Sequence, residues 1–492
     1  MVRSFPASLR LTALAALLAG AWAPRAAASG FQLRDQSGSG QGTAYAGISA
    51  GGEDVSSMFF NPATMIRYEG VRLQIGLTEI SPTSKFSGGA ATRSAVPGLG
   101  IASTPISGAD STGNVARSAT LPTLYFLWSL DPDFKLGLAV NVPFGLTTEY
   151  DPGWAGRYHA IKSHLDTLDI APSLAYRLDP KWSVGAALVA RRAHAQLSRA
   201  VDLGSQAQVG VLTGQLNNSA PGVPQIVSGG AADAVATVSG SGLAYGYRLG
   251  LLYEARPTLR FGLGYQSAVR ERIKGGVTFN VPTAALDAGL AALRAVNPTA
   301  TATINNMGAA LQRGTANGSA SALLNMPATF SLGALWDVAP TVTLGGELAW
   351  TKWSSFHELR VQFSDPSSQP DDVTPENWKD SLYFALGASW HPEGRWTYRL
   401  GVALDKTPVP DATRTPRIPD ADRTWLSAGV GHQFTKAFGM DAGYSHLFCK
   451  DSTINLQAGS TPSTSNAFYD GNLSGTYKNS IDILAVQARY VF

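Results

Sequence analysis

The chain has 492 residues, of which 15% are charged and 52 are glycine, and its formal net charge is +3. A chain so close to neutral lacks the basic excess that a nucleic-acid partner requires. Its single cysteine, Cys449, excludes an internal disulfide and a cysteine-based metal cluster, so we expect no metal and no cofactor.

The first 28 residues have the layout of a secretory signal peptide. Arg3 and Arg10 precede an apolar run over 11–22, and the alanines at 26–28 form a small-residue cleavage site. The mature chain is therefore expected to begin near Ser29. The alternative, a buried first helix, is disfavoured because nothing else before the long loops has a helical pattern. No later stretch approaches the roughly 18 uninterrupted apolar residues of a membrane helix, so any membrane crossing must use strands.

Residues 29–70 are rich in glycine and contain no strand pattern. Six glycines between positions 38 and 52 interrupt regular structure, whereas Phe31, Tyr45, Phe59 and Phe60 need burial. A compact piece of this kind, attached to a large barrel, can fold back into the lumen and close it. We therefore predict an N-terminal luminal plug, or hatch, over 29–70.

The remaining chain, 71–492, contains about fourteen segments in which apolar residues recur at every second position. Because strand side chains alternate between two faces, this pattern indicates one face in lipid and the other toward an interior. The segments are 71–80, 119–130, 134–149, 164–178, 182–198, 242–254, 258–279, 325–337, 341–363, 377–391, 395–406, 423–434, 437–449 and 475–492.

Short and long connections alternate strictly between these segments. Three-residue turns such as 131–133 and 179–181 are followed each time by a longer connection, as in bacterial barrels with periplasmic turns and extracellular loops. The fold predicted is all-β, a 14-stranded antiparallel transmembrane β-barrel in a bacterial outer membrane. A soluble sandwich or propeller would not explain the terminal Phe492 or the aromatic residues at segment ends.

Two connections, 199–241 and 280–324, are too long to be simple turns. The second contains apolar residues at helical spacing, which predicts a short amphipathic helix. Its apolar residues could form a landing surface for a hydrophobic substrate, or they could pack the loops together. The residues concerned are Ala285, Leu286, Leu290, Leu293, Met307 and Leu311.

Several motifs together resemble one family. They are Ser29-Gly30-Phe31-Gln32-Leu33, the glycine-rich run 37–47, Asn61-Pro62-Ala63, the segment 145–150 and the segment 418–429. In this order, after a signal peptide, they are similar to the outer-membrane long-chain fatty acid transporter family (FadL type), which includes aromatic hydrocarbon transporters. The resemblance extends over essentially the whole mature chain and is weakest in the long loops.

The resemblance implies a monomeric barrel that carries hydrophobic small molecules by passive diffusion. The substrate would land on extracellular loops, enter a pocket near the start of the hatch and leave sideways through a gap beside a kinked third strand. The third segment contains Pro143, Phe144 and Gly145, which fit this expectation. Proline cannot donate to a sheet ladder and glycine has no side chain to pack, so both mark a kink or bulge. Pro143 and Gly145 are therefore candidates for the lateral opening, and Phe144 for its lining.

Individual residues carry over from the same family. The resemblance implies that Phe31 lines the substrate pocket, that Arg199 faces a substrate carboxylate, and that Asp405 holds the first hatch segment. A guanidinium suits a carboxylate because it donates two parallel hydrogen bonds. Gly30, Asn61, Pro62 and Ala63 are the matched hatch positions, which are implied to act in plugging and gating.

One position departs from the family pattern. Thr374 stands where a second head-group cation is expected, and its loss weakens selection for a carboxylate. Long-chain fatty acids are the substrate that the family favours, and neutral aromatic hydrocarbons are the alternative.

The sequence gives little support to other functions. Its seven histidines are scattered over different segments, and no Gly-x-Ser-x-Gly elbow stands in a strand-to-helix context, so catalytic residues are not predicted and a barrel hydrolase is a remote alternative. A nonspecific porin would lack the hatch. The expected partners are the hydrophobic substrate, outer-membrane lipid and lipopolysaccharide, and the barrel-assembly machinery, which the terminal aromatic Phe492 suits.

Overall fold

The computed structural model describes residues 30–94, 103–207, 217, 219, 230–458 and 469–492. The signal peptide predicted over 1–28 lies outside these ranges. In the described part of the chain, no helix is both long and apolar enough to cross a bilayer. Within the same ranges, no group of three or more His, Cys, Asp or Glu side chains is arranged to hold a metal ion.

The described residues form fourteen antiparallel strands, six of them interrupted. The strands are β1 (Val71–Thr92), β2 (Ala119–Ser129), β3 (Phe134–Asn141 and Gly145–Glu149), β4 (Lys162–Arg177), β5 (Trp182–Val201), β6 (Ala234–Arg256), β7 (Leu259–Gln266 and Val269–Asn280), β8 (Gly318–Met326 and Thr329–Ala339), β9 (Val342–Thr351 and Glu358–Phe363), β10 (Asp372–Pro375 and Ser381–Trp390), β11 (Trp396–Asp405), β12 (Arg423–Gln433), β13 (Phe438–Cys449 and Ser452–Leu456) and β14 (Asn472–Val491). Each strand pairs with its sequence neighbours, and β1 pairs with β14 from Arg72↔Val491 to Thr92↔Asn472, which closes the barrel.

The outer face of the barrel is an apolar band. Leu188, Tyr245 and Leu400 point outward with 72%, 72% and 65% of their surface exposed. On β14 the predicted alternation is observed, because Leu484 and Phe492 are exposed while Gln487 is buried in the lumen. The predicted closed 14-stranded barrel is thus confirmed.

The strands on the loop side are longer than the sequence pattern predicts. β5 continues to Val201 and β6 begins at Ala234, so the connection predicted over 199–241 is shorter; likewise, β8 begins at Gly318 within the predicted loop 280–324. These extensions consist largely of Ala, Ser, Thr and Gly. Where a strand rises beyond the lipid it no longer needs apolar residues on its outer face, and the alternating signal fades.

The loop regions carry three α-helices in the described residues: α2 (Leu203–Ala207), α3 (Thr283–Val296) and α4 (Thr301–Gly314). The predicted amphipathic helix is α3, which buries Leu286, Leu290 and Leu293 against α2 and α4. These leucines pack the loops together and do not form an exposed landing surface.

Residues 30–70 fill the lumen with short turns. They contain α1 (Gly38–Gly42) and the 3-10 turns Ile48–Ala50, Val55–Phe59 and Pro62–Arg67. The last turn begins at the predicted Asn-Pro-Ala motif: the Asn61 side-chain oxygen accepts from the Ala63 amide at 3.0 Å, and Pro62 occupies the first turn of the helix. The Asn61 amide group also donates to the carbonyl of Leu251 in the wall at 3.0 Å.

Glycines in the wall let the plug backbone approach closely. A Cβ added at Gly262 in β7 would lie 1.8 Å from the Ser49 carbonyl oxygen, and one added at Gly185 in β5 would lie 2.3 Å from the Ala63 nitrogen. No side chain larger than hydrogen fits at these contacts, so the plug backbone lies directly against the backbone of the wall strands.

We expect Gly262→Ala to displace the plug, because the new methyl group would overlap the Ser49 carbonyl. Overpacking of this kind costs about 1–3 kcal/mol. The thermal midpoint should fall by several degrees and leakage of a small hydrophilic antibiotic should rise. Gly346→Ala in β9 is the matched control, since its added Cβ would meet nothing closer than Leu386 at 3.7 Å. Equal thermal midpoints and equal leakage in the two variants would contradict a close contact between the plug and Gly262.

Candidate functional site

The start of the plug is bonded to the kink in β3. The Leu33 amide donates to the Pro143 carbonyl at 2.8 Å, and the Gly145 amide donates to the Phe31 carbonyl at 3.0 Å. The β3–β4 ladder is interrupted from Val142 to Phe144, between its two segments. The plug therefore provides the hydrogen-bonding partners that a neighbouring strand would otherwise supply.

The same kink leaves a gap in the wall between β2 and β3. Their pairing ends at Leu124↔Val140, and beyond it a single bridge is found in the described residues, Ala116↔Thr148, which joins the loop before β2 to the second segment of β3. A cavity of about 460 Å³ lies at this gap and is lined by Gly145 together with residues of the plug and of β1. The candidate opening residues Pro143 and Gly145 are thus located at an interruption in the wall.

Phe31 fills an aromatic box. Its ring centroid lies 4.8 Å from that of Trp353, 5.5 Å from Trp378, and 6.0 Å from both Phe144 and Phe356. All five side chains are buried. The two aromatic residues assigned to the substrate pocket from the resemblance, Phe31 and Phe144, are therefore in contact with each other.

Interruptions in the strands supply the rest of this box. Trp353 and Phe356 lie in the break between the two segments of β9, and Trp378 lies in the break of β10. Residues in such breaks are released from the ladder, so the chain can turn inward and bury its aromatic side chains in the lumen. These three residues were not predicted from the sequence, because an alternating pattern shows where a strand lies but not where it is interrupted.

Two cavities lead from the loops toward Phe31. A groove of about 790 Å³ is lined by Met307 and Leu311 of α4, and an apolar cavity of about 80 Å³ is lined by Phe31 at its inner end. The two share the wall residues Leu197, Val238, Leu359 and Val361 and the loop residue Arg417. The apolar lining is thus continuous from the loop helices to the aromatic box.

Arg199 lines the groove but is already paired. Its Nη2 lies 3.2 Å from the Asp372 carboxylate, and its Nη1 forms an ion pair with Asp470. Since two carboxylates share its charge, Arg199 can bind a substrate carboxylate only if one of these pairs breaks.

Arg417 lies where the groove meets the apolar cavity. Its Nη1 donates to Ser163 Oγ at 3.2 Å and to the Lys162 carbonyl at 3.3 Å, and within the described ranges no carboxylate lies at ion-pair distance. Burial lowers the pKa of this loop guanidinium to about 10, so it stays charged at neutral pH. Thr374 lines the same groove, so Arg417 supplies a cation near the position where Thr374 lacks one.

Glu376 provides a second polar group in the apolar cavity. Its Oε2 accepts a hydrogen bond from Trp378 Nε1 at 2.7 Å, while Oε1 is buried and makes no hydrogen bond to any described residue. Neither Arg417 nor Glu376 belongs to the residues selected from the sequence. Both come from segments outside the alternating pattern, and only the fold brings them beside Phe31.

Gly30, the first described residue of the plug, is held by the carboxylate of a loop residue, Asp420. The Gly30 amide donates to Asp420 Oδ2 at 3.1 Å, and Arg423 Nη2 donates to the Gly30 carbonyl at 3.3 Å and to Asp420 at 2.8 Å. Asp405, which the resemblance assigned to this role, is buried in the wall and lines the same cavity as Gly30. Gly30 is thus hydrogen-bonded to Asp420 and to Arg423.

A buried ionic chain connects the plug to the kink from the other side. Arg248 lies 4.3 Å from the ring centroid of Phe59 in the plug and donates to Asp169 at 2.6 Å. Asp169 accepts two further hydrogen bonds from Arg191, at 2.7 and 2.9 Å, and Arg191 lies 4.8 Å from the ring centroid of Phe144. Phe144 thus contacts both Phe31 and the Arg191 guanidinium.

The chain matches a model of one protein family from residue 18 to residue 492, described as outer membrane protein transport protein (OMPP1/FadL/TodX). It is 31% identical over 454 residues to the long-chain fatty acid transport protein of Salmonella typhi, covering 92% of this chain and 93% of that protein. It is 30% identical over 460 residues to the protein of the same name from Escherichia coli K12, covering 92% and 94%.

Solved structures share the fold. A Pseudomonas aeruginosa FadL homologue superposes with a TM-score of 0.76 at 25% identity, covering 94% of this chain and all of that one. The Ralstonia pickettii toluene transporter TbuX superposes with a TM-score of 0.59 at 19% identity, covering 93% and 99%. The latter likeness concerns the fold alone.

Docking of the first plug segment should depend on pH through Asp35. Burial raises its pKa from 3.8 to about 7, with Arg423 and Arg34 opposing the rise and Asp405 adding to it. The docked state therefore holds a proton that the undocked state has lost, so docking weakens as pH rises from about 4 to 7 and is constant above 7. Asp35→Asn should remove this dependence.

The measurement is hydrogen exchange at the Leu33 amide at pH 5 and pH 7, corrected for the intrinsic pH dependence of exchange. The wild-type protein should show greater protection at pH 5, and the Asn variant should show equal protection. The same pH dependence in both proteins would contradict a role for Asp35.

Proposed function

The chain belongs to the OMPP1/FadL/TodX family of outer membrane transport proteins, and from this premise we propose that it carries long-chain fatty acids inward by passive diffusion. Its general function is the transport of hydrophobic molecules across the bacterial outer membrane. The substrate, the route and the residues that serve them are the proposal.

The continuous apolar path carries the proposal. The substrate would land in the groove beside α4, pass Arg417 into the cavity that ends at Phe31, and displace the first plug segment. It would then leave between β2 and β3 at Pro143 and Gly145, where the wall lacks regular pairing. Arg417, which has no carboxylate at ion-pair distance among the described residues, lies where the groove joins the apolar cavity, and this arrangement suits a molecule with one anionic end and a long apolar tail.

Arg417 is proposed as the head-group residue, with Glu376 beside it. A guanidinium without an ion-pair partner binds a carboxylate at a lower cost than one that must first release its own. Arg199, with Asp372 and Asp470 as partners, would hold the loops around the groove.

Neutral aromatic hydrocarbons are the second candidate. Thr374 removes one cation from the groove, and the box around Phe31 consists of aromatic rings that would accept another ring by edge-to-face contact. A transporter of this class would not depend on Arg417.

The remaining assignments complete the proposal. Residues 1–28 would be a cleaved signal peptide, 29–70 the plug with Asn61, Pro62 and Ala63 at its seat, and 71–492 the barrel. The protein would act as a monomer surrounded by outer-membrane lipid and lipopolysaccharide, after insertion by the barrel-assembly machinery through its C-terminal strand. No catalytic role is proposed.

Gly145→Leu should lower uptake of a labelled hydrophobic substrate at least fivefold. A Cβ at this position already lies 3.0 Å from Leu33 Cδ1, so a larger side chain fills the space between the plug and the kink. Gly113→Leu is the control, because nothing lies within 4 Å of its Cβ. Unchanged uptake by a folded Gly145→Leu barrel would rule out exit at the kink.

Arg417→Gln should distinguish the two substrate classes. Loss of a charge-assisted hydrogen bond costs about 1.5–3 kcal/mol, so uptake of labelled oleate should fall by about tenfold or more, whereas toluene uptake should not change. Arg395→Gln removes a guanidinium from the opposite, periplasmic end and should leave both unchanged. Oleate uptake that is insensitive to Arg417 would contradict the head-group assignment, and preference for toluene in competition would favour the second candidate.

A further inference from the structure

Three cations project from the outer surface of β7. Arg270, Arg272 and Lys274 occupy alternate positions and are exposed, whereas Glu271 and Ile273 between them are buried in the lumen. Residues two apart on a strand are separated by about 7 Å on the same face. The three side chains therefore form one row on the outside of the barrel.

This row lies at the upper edge of the apolar band. Arg272 is paired with Leu323 of β8, and the pairing of Ser241 with Lys274 places Leu243 of β6 at the level of Arg272. Leu243 and Leu323 are 61% and 42% exposed to the surroundings of the barrel. Leu243 is also paired with the exposed Arg192 of β5, which lies two strands or about 10 Å from Arg272.

The charge of this patch is uncompensated. Within the described ranges, no carboxylate lies at ion-pair distance from any of the four cations. By contrast, two outward-facing histidines at the rim each lie beside a carboxylate: His164 Nε2 is 3.0 Å from Asp166, and His446 Nδ1 is 2.7 Å from Asp482. A narrow cleft of about 160 Å³ beside Arg272 is also lined by the side-chain amides of Asn325 and Gln362 and by the ion pair between Arg360 and Glu358.

We propose that the face formed by Arg192, Arg270, Arg272 and Lys274 binds the phosphate groups of lipopolysaccharide, the phosphorylated glycolipid of the outer leaflet. Guanidinium groups bind phosphate oxygens through two parallel hydrogen bonds, and long basic side chains at the edge of an apolar band reach the head-group level. Leu243 and Leu323 would contact the first methylene groups of the acyl chains. The site requires only that the barrel lies in an outer membrane and is independent of the substrate transported.

The test uses the full mature protein in detergent and measures binding of bisphosphorylated lipid A by native mass spectrometry. The triple variant Arg270→Gln, Arg272→Gln, Lys274→Gln should bind at least tenfold more weakly than wild type. The control triple variant Lys181→Gln, Arg256→Gln, Lys436→Gln loses the same charge from exposed positions at the periplasmic end and should bind as wild type does. Unchanged heat-dependent gel mobility identifies folded barrels.

Two further probes identify the ligand chemistry. Dephosphorylated lipid A should bind wild type about as weakly as lipid A binds the triple variant, and inorganic phosphate at the same concentration should not compete. Retained lipid A binding by the triple variant, equal loss in the control variant, or full competition by inorganic phosphate would each overturn the proposal.

Discussion

A strand inside a bilayer must satisfy every backbone amide and carbonyl within the protein, because the surrounding hydrocarbon offers no partner. This constraint acts most visibly at the kink in β3. The wall there is broken, and the plug residues Phe31 and Leu33 complete the hydrogen bonding of Pro143 and Gly145. The plug and the wall consequently depend on each other, because the backbone groups of both are hydrogen-bonded at the kink only when the plug is docked there.

The same dependence extends through buried side chains. Phe144 contacts both Phe31 and Arg191, and Arg191 is joined through Asp169 and Arg248 to Phe59 of the plug. Buried ion pairs add little net stability, but removal of one partner is costly. Such a chain therefore favours a single arrangement of plug and kink. Displacement of Phe31 removes one of these contacts of Phe144, while its contact with Arg191 remains.

Sequence periodicity predicted most of the barrel because lipid imposes a strict alternation on each strand. It failed where lipid is absent: the loop-side ends of β6 and β8 were predicted as loop because small residues replace the alternating apolar ones there. The site was predicted less completely. Phe31 and Phe144 were found through local motifs, whereas Arg417 and Glu376 reach the cavity from segments distant in the chain and carry no local signal. Arg199 was assigned to a substrate carboxylate through the family resemblance, and its ion pair with Asp470, 271 residues away, has no local signal in the sequence.

The closing strand is bonded to the plug as well as to the wall. Gln487 of β14 accepts a hydrogen bond from the Gly38 amide at 2.8 Å and donates to Asp54 at 2.6 Å. A barrel closed around an empty lumen would leave this glutamine without those two partners. Barrel closure and plug docking therefore stabilise each other, and loss of one weakens the other.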